Sequence, residues 1–189
     1  MEQPKKELKP WEVLNREELL KTPWFSLNRD ECKLPDGSII DDYYVIDAPD
    51  VSGIVALTEE GTLVVNKQYK HGCGDMVCEI PAGMIDEGEE PLLAAQRELE
   101  EETGYVSDSW TYLGTVYANP TSQPVRFHMY LAENCTLTDK KIENDSREVI
   151  LNELVDFDTI DELIDNGTIN VLWSISAIHL AQRVLNKQK

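Results

Sequence analysis

Between residues 41 and 83 the chain runs through apolar stretches punctuated by turn residues. "VSGIVALT" (51–58) and "TLVVNKQYK" (62–70) read as strands joined by a tight turn at Glu59-Glu60-Gly61. "DDYYVIDAPD" (41–50) precedes them as another strand, and "MVCEIPAG" (76–83) follows as a short one. Upstream, "KLPDGSII" (33–40) carries Pro-Asp-Gly and predicts a hairpin turn, while "NREELLKT" (15–22) predicts a short helix. "TYLGTVYA" (111–118), "VRFHMYLAE" (125–133) and "VILNELVDF" (149–157) are three further strands. The period changes in three places. A helix begins near Glu90 or Pro91 and ends at Gly104, a second runs from Asp158 to Gly167, and "NVLWSISAIHLAQRVL" (170–185) is a longer amphipathic helix. Strands alternating with a few helices predict one α/β (α+β) sandwich. Residues 1–48 form an N-terminal extension with a β hairpin, and residues 49–189 the main domain.

Charge narrows the partners. Seventeen basic residues stand against 36 acidic ones, a net charge of −19. Such a surface repels nucleic acid backbones and anionic membranes, but not a small anion whose charge a divalent metal screens. Cys32, Cys73, Cys78 and Cys135 are scattered with no CxxC pair, so they read as reduced thiols rather than a disulfide framework or a closed zinc site. No secretory h-region and no apolar run of membrane-spanning length occurs, so the cytoplasm is the expected compartment.

The chemistry concentrates in "RELEEETGY" (97–105). On a helix Glu98, Glu101 and Glu102 share one face, Leu92, Ala95 and Leu99 lie on another, and Glu100 points away from Glu98. Two carboxylates about 5.5 Å apart in a partly buried cleft repel by about 3 kcal/mol at an effective dielectric near 20. A basic neighbour or a divalent cation offsets that cost. Arg97 can satisfy one carboxylate, and the remaining hard oxygens suit Mg²⁺ or Mn²⁺.

The spacing extends the pattern. Gly83, Glu89, Arg97-Glu98, Leu99, Glu101-Glu102, Gly104 and Tyr105 fall at the intervals of a complete Nudix box. Seven fixed residues at roughly 7% usage each recur by chance on the order of 10⁻⁸ per start point. The chain therefore resembles the Nudix hydrolases, with one departure at Tyr105, where the family usually has an aliphatic residue. "EIPAG", the loop "NPTSQP" with Pro120, and "GTIN" near the end resemble the ADP-ribose pyrophosphatase branch.

That resemblance implies a Nudix-type α/β/α sandwich of mixed sheet with a small N-terminal β extension. It implies hydrolysis of ADP-ribose or a related nucleoside diphosphate sugar to a nucleoside monophosphate and a sugar phosphate, by a homodimer. It places metal on Glu98, Glu101, Glu102 and the Ala82 carbonyl. Gly83 is expected to let the backbone turn tightly beside the metal, and Glu89 and Arg97 to orient the loop and carboxylates. A base is needed, and the loop "IENDSREV" offers Glu148, Glu143 and Asp145, with Glu148 favoured. Lys67, Gln68 and Lys70 replace an Arg-rich stretch common in relatives, and Arg126 is a further phosphate contact. Trp24 is a candidate for stacking on a base, while His71, His128, His179 and Trp173 read as structural. Alternatives are another substrate of the same chemistry (GDP-mannose, NADH, a dinucleoside polyphosphate) or a nucleotide sensor without turnover. A calcium module would need an EF-hand loop, and none is present.

Overall fold

The computed structural model describes residues 8–139 and 149–188, which divide into two compact units. One comprises the described residues up to Ala48 together with Asn119–Val125; the other comprises Pro49–Ala118 and the described residues from Arg126 onward.

The N-terminal unit is an antiparallel sheet of β1 (Glu12–Lys21), β2 (Ser26–Lys33) and β3 (Ile39–Asp47), in that order. β1 contains the segment expected to be helical. Its Arg16 and Glu17 find partners across the strands. Arg16 clamps Asp30 of β2 with two hydrogen bonds, 2.7 Å and 2.6 Å, and Glu17 pairs with Arg29 at 2.5 Å. Cross-strand pairing overrides the local helical preference of Glu and Leu. Pro35-Asp36-Gly37 makes the β2–β3 turn, where Gly37 takes φ 88° and the Asp36 carboxylate accepts from the Ser38 N–H. The 119–125 segment joins this unit through hydrogen bonds from Ile46 N–H to Ser122 O (2.8 Å) and from the Tyr43 hydroxyl to Thr121 O.

The larger unit is built on an eight-stranded mixed sheet. Its strands are β4 (Val51–Thr58), β5 (Thr62–Lys70), β6 (Asp75–Glu79), β7 (Ala82–Met84), β8 (Tyr105–Val106), β9 (Ser109–Tyr117), β10 (Arg126–Leu137) and β11 (Leu151–Asp156). β4 and β10 run parallel, while the other pairings are antiparallel. The helices are α1 (Pro91–Thr103), α2 (Ile160–Asp165) and α3 (Leu172–Gln188). The expected "MVCEIPAG" strand is broken at Ile80-Pro81 into β6 and β7. Asp158 lies inside a short 3-10 turn (Phe157–Thr159) that leads into α2; the cap of that turn is Asp156, which accepts from Asp158 N–H at 2.9 Å.

Strand alternation makes the sandwich. On β4, Ile54 and Ala56 face α1 and pack with Ala95, Leu99 and Tyr130. Val55 and Leu57 face the other way and pack with Met129, Leu131, Ala177 and Ile178 under α3. β4 is buried along nearly its whole length, which is why it reads as a continuous apolar run. On α1 the buried residues are Ala94, Ala95, Leu99 and Thr103; Leu92, expected to face the sheet, is exposed. Tyr105 fills its apolar slot by packing on the α1-side cluster. The buried Ser52 hydroxyl donates to Pro91 O at 2.7 Å and pins the start of α1 to β4, while Gly104 ends the helix in the left-handed region at φ 73°.

Candidate active site

α1 leaves the sheet with its acidic face toward β5, β6 and β7. A cleft of about 580 Å³ opens there, lined by Lys70, Glu79, Ala82, Gly83, Glu98 and Glu102. The lining also includes the apolar Val51, Phe127 and Trp173, with the last two rings stacked at 5.6 Å between centroids. Trp173, expected as core, thus packs on the core and also lines the cleft.

The three box carboxylates are held differently. Glu102 reaches deepest: its Oε2 accepts from Asn66 Nδ2 at 2.8 Å and from Ala82 N–H at 3.0 Å. Burial, and secondarily the Glu98 charge, raises its pKa to about 8. Glu98 Oε1 accepts from Arg97 at 2.6 Å, yet burial outweighs that cation and its pKa is also raised. Glu101 is 57% exposed, absent from the cleft lining, and turned toward Arg97 at 3.2 Å.

Arg97 satisfies three carboxylates, where the spacing suggested one. Its Nε and one terminal nitrogen grip Glu89 at 3.0 Å and 2.9 Å, a two-pronged contact, and the same terminal nitrogen reaches Met84 O at 3.1 Å. Arg97, helped by the Asp86 N–H, holds the Glu89 carboxyl down at about 2. The loop and helix of the box are thus tied together by one guanidinium.

Gly83 has its own reason. It lies in β7 and takes no left-handed conformation; what it supplies is room. A Cβ there would overlap the Glu98 carboxylate. Because that carboxylate ends a flexible side chain, Gly83→Ala is expected to fold with little loss of melting temperature. It should nonetheless lower turnover by about tenfold or more by displacing Glu98. Equal kcat in both proteins would show that Glu98's placement does not matter.

The donor chemistry fits a divalent cation: two half-buried carboxylates with raised pKa values face one cleft, Glu102 held by neutral N–H donors and Glu98 sharing a single guanidinium with Glu89 and Glu101. Among the described residues no three His, Cys, Asp or Glu side chains are already gathered around a common point, because Glu101 is drawn to Arg97.

The other expected residues are dispersed. Lys70 lines the cleft and pairs with Glu79 at 3.3 Å. Gln68 is buried and donates to Glu79 at 2.9 Å, while Lys67 faces Glu153 of β11 at 2.7 Å. Arg126 is bound to Asp50, which also lies 3.4 Å from His128. Trp24 belongs to the N-terminal unit, exposed in the turn between β1 and β2. Glu143, Asp145 and Glu148 fall outside the described residues. Sequence reading missed Asn66 and Glu79. A signal was present: Asn66 follows the apolar run Leu63-Val64-Val65 and Glu79 follows Val77-Cys78, and polar groups buried beside such runs call for partners.

Comparison with known proteins agrees with this geometry. The NUDIX domain family model matches residues 48–171, and the model for the nucleoside diphosphate sugar hydrolase N-terminal domain matches residues 11–46. The chain is 30% identical to an ADP-ribose pyrophosphatase of Bacillus subtilis over 73% of its own length and 74% of that protein's. It is 30% identical to a methanol dehydrogenase activator of Bacillus methanolicus over 73% and 72%. Its fold matches a crystal structure of an ADP compounds hydrolase with a TM-score of 0.85 at 22% identity, covering 97% of this chain and 98% of that one. With the box residues gathered at one end of a mixed sheet between two helices, and the family model spanning most of the chain, this protein belongs to the Nudix family of hydrolases.

Proposed function

We propose that this protein hydrolyses the pyrophosphate bond of ADP-ribose or a close nucleoside diphosphate sugar, giving a nucleoside monophosphate and a sugar phosphate. The observation that carries the reading is the pair Glu98 and Glu102, half-buried in a cleft that also holds Lys70, with Glu98 sharing Arg97 with two other carboxylates and Glu102 held by neutral N–H donors. The name borne by the Bacillus subtilis relative supports the substrate.

Glu98 and Glu102, with Glu101 swung from Arg97 and the Ala82 carbonyl, would hold Mg²⁺ or Mn²⁺. When bound, the metal supplies charge neutralisation at the pyrophosphate oxygens and makes water more acidic. Lys70, steadied by Glu79, meets a phosphate as a point charge. Arg97 keeps the box loop and α1 in register while substrate is bound. Glu148 or Glu143 takes the proton from the attacking water. The apolar lining of Val51, Phe127 and Trp173 excludes bulk water from part of the cleft.

The test is phosphate release from ADP-ribose, ADP-glucose, GDP-mannose, NADH and diadenosine polyphosphates, coupled to a phosphatase, with Mg²⁺ and with chelator. Chelator-sensitive turnover of ADP-ribose supports the reading. Turnover of another compound keeps the chemistry and replaces the substrate. Tight nucleotide binding without any turnover favours a sensor.

The reading includes a homodimer in the cytoplasm. Every residue of β1 is exposed, and Trp11, Val13, Leu14, Leu19 and Leu20 lie open on this edge strand and just before it. A second copy would cover them. Sedimentation is expected to give twice the monomer mass, with Leu20→Asp shifting the protein toward monomer; a monomeric wild type would remove the dimer. The four cysteines, all free, suit a reducing compartment.

A further inference from the structure

Asn66 is 1% exposed in the middle of β5, directly after the buried Val64 and Val65. A buried amide with no apolar role needs a reason to be there. Its Nδ2 donates to Glu102 Oε2, the same oxygen that accepts from Ala82 N–H. Both donors converge on one oxygen, so the carboxylate plane is fixed and Oε1 is the oxygen without either donor.

The amide itself has an orienting partner. Asn152 sits directly opposite Asn66 in the β5–β11 register. Its Nδ2 donates to Asn66 Oδ1 at 3.4 Å and to the Glu102 main-chain carbonyl at 2.9 Å. The carbonyl belongs to the last turn of α1, where no helical N–H follows to satisfy it. With its oxygen engaged by Asn152, Asn66 must point its N–H₂ at Glu102. Flipped, it would set a carbonyl oxygen against the carboxylate. Residue 102 is thus held twice, by its side chain through Asn66 and by its backbone through Asn152.

We infer that the Asn66–Asn152 pair is a positioning device, which fixes the oxygen that Glu102 presents to a divalent cation. The inference rests on the metal reading of Glu102 given above. Outer partners of this kind change metal affinity by about 10- to 100-fold when removed. Neither asparagine is among the residues that line the cleft, so the expected effect falls on metal affinity and kcat, with KM changed by less than about threefold.

The experiment is direct titration of the full chain with Mn²⁺, alongside melting curves in chelator and steady-state kinetics, for wild type, Asn66→Ala, Asn152→Ala and the double variant. Asn66→Ala should weaken Mn²⁺ binding by about tenfold or more, and Asn152→Ala by a smaller factor in the same direction. The double variant should fall short of the product of the two single effects, because part of what Asn152 does passes through Asn66 and only its bond to the Glu102 carbonyl is independent. Wild type binding Mn²⁺ while Asn66→Ala binds within twofold of it would overturn this inference alone, whatever its melting temperature. Wild type failing to bind Mn²⁺ would remove the metal reading and this inference with it. Should Asn66→Ala not fold, Asn152→Ala decides: its side chain is exposed, and unchanged affinity there overturns the device.

Discussion

Glu102→Gln is expected to lower kcat by about 10³-fold, a barrier increase of roughly 4 kcal/mol, while making the metal-free protein more stable. The two effects share one cause. The Glu102 carboxyl, ordinarily near 4.5, is raised to about 8 by burial and by Glu98. A carboxyl whose folded pKa is raised leaves stability intact below the unfolded pKa and removes it as pH climbs through the folded one. The chelated wild type should therefore lose stability between about pH 4.5 and pH 8, by on the order of 4 kcal/mol once Glu102 ionises. Glutamine keeps an oxygen for Asn66 and Ala82 and carries no charge, so its melting temperature should stay flatter over that range. The same carboxyl makes metal binding release a proton. Mn²⁺ affinity should rise with pH up to about 8, approaching tenfold per unit, and level off above it. Titrations at pH 6, 7 and 8 read this directly, and a flat profile would mean that Glu102 is already ionised or takes no part.

Arg97→Ala should give the largest loss of stability in the metal-free protein, about 2–3 kcal/mol at neutral pH after allowing for partial exposure. It leaves Glu89, Glu98 and Glu101 without their shared cation. Lysine should restore only part of this, since one ammonium cannot span both Glu89 oxygens as the guanidinium does. Glu89 sets the acid limb. Its carboxyl is held at about 2, below its ordinary 4.5, so its contribution is complete above the ordinary value and lost as pH falls through 2. Wild type and variant should converge in strong acid. Urea unfolding in chelator at pH 7 and pH 2.5 measures both points; an undiminished gap at the lower pH would assign the loss to something other than Glu89.

The box was legible because helical spacing is a local property: Glu98 and Glu102 are one turn apart wherever α1 sits. What separates Glu102 from Glu101 is not local. Asn66 and Ala82 arrive from β5 and β7 to fix Glu102, while Glu101 faces Arg97 on its own helix. No periodicity in residues 97–105 encodes that division. Gly83 was found for the wrong reason, since a glycine needed for space and one needed for a turn look alike in a sequence. β1 failed as a helix because its charges are paired across strands with residues a dozen or more positions away. The strands of the larger unit were easier, because β4 and the first half of β5 are buried on both faces and read as apolar runs.

Asn119–Val125 belongs with the N-terminal sheet, although the chain enters and leaves it from strands of the other unit. Modularity here is therefore discontinuous. A chimaera exchanging the chain only up to Ala48 would leave Ile46 and Tyr43 of the donor facing a foreign 119–125 segment in place of Ser122 and Thr121. Transplanting the two segments together keeps those bonds. In this protein the unit of exchange, whether by engineering or by recombination, is a pair of sequence intervals rather than a single N-terminal block.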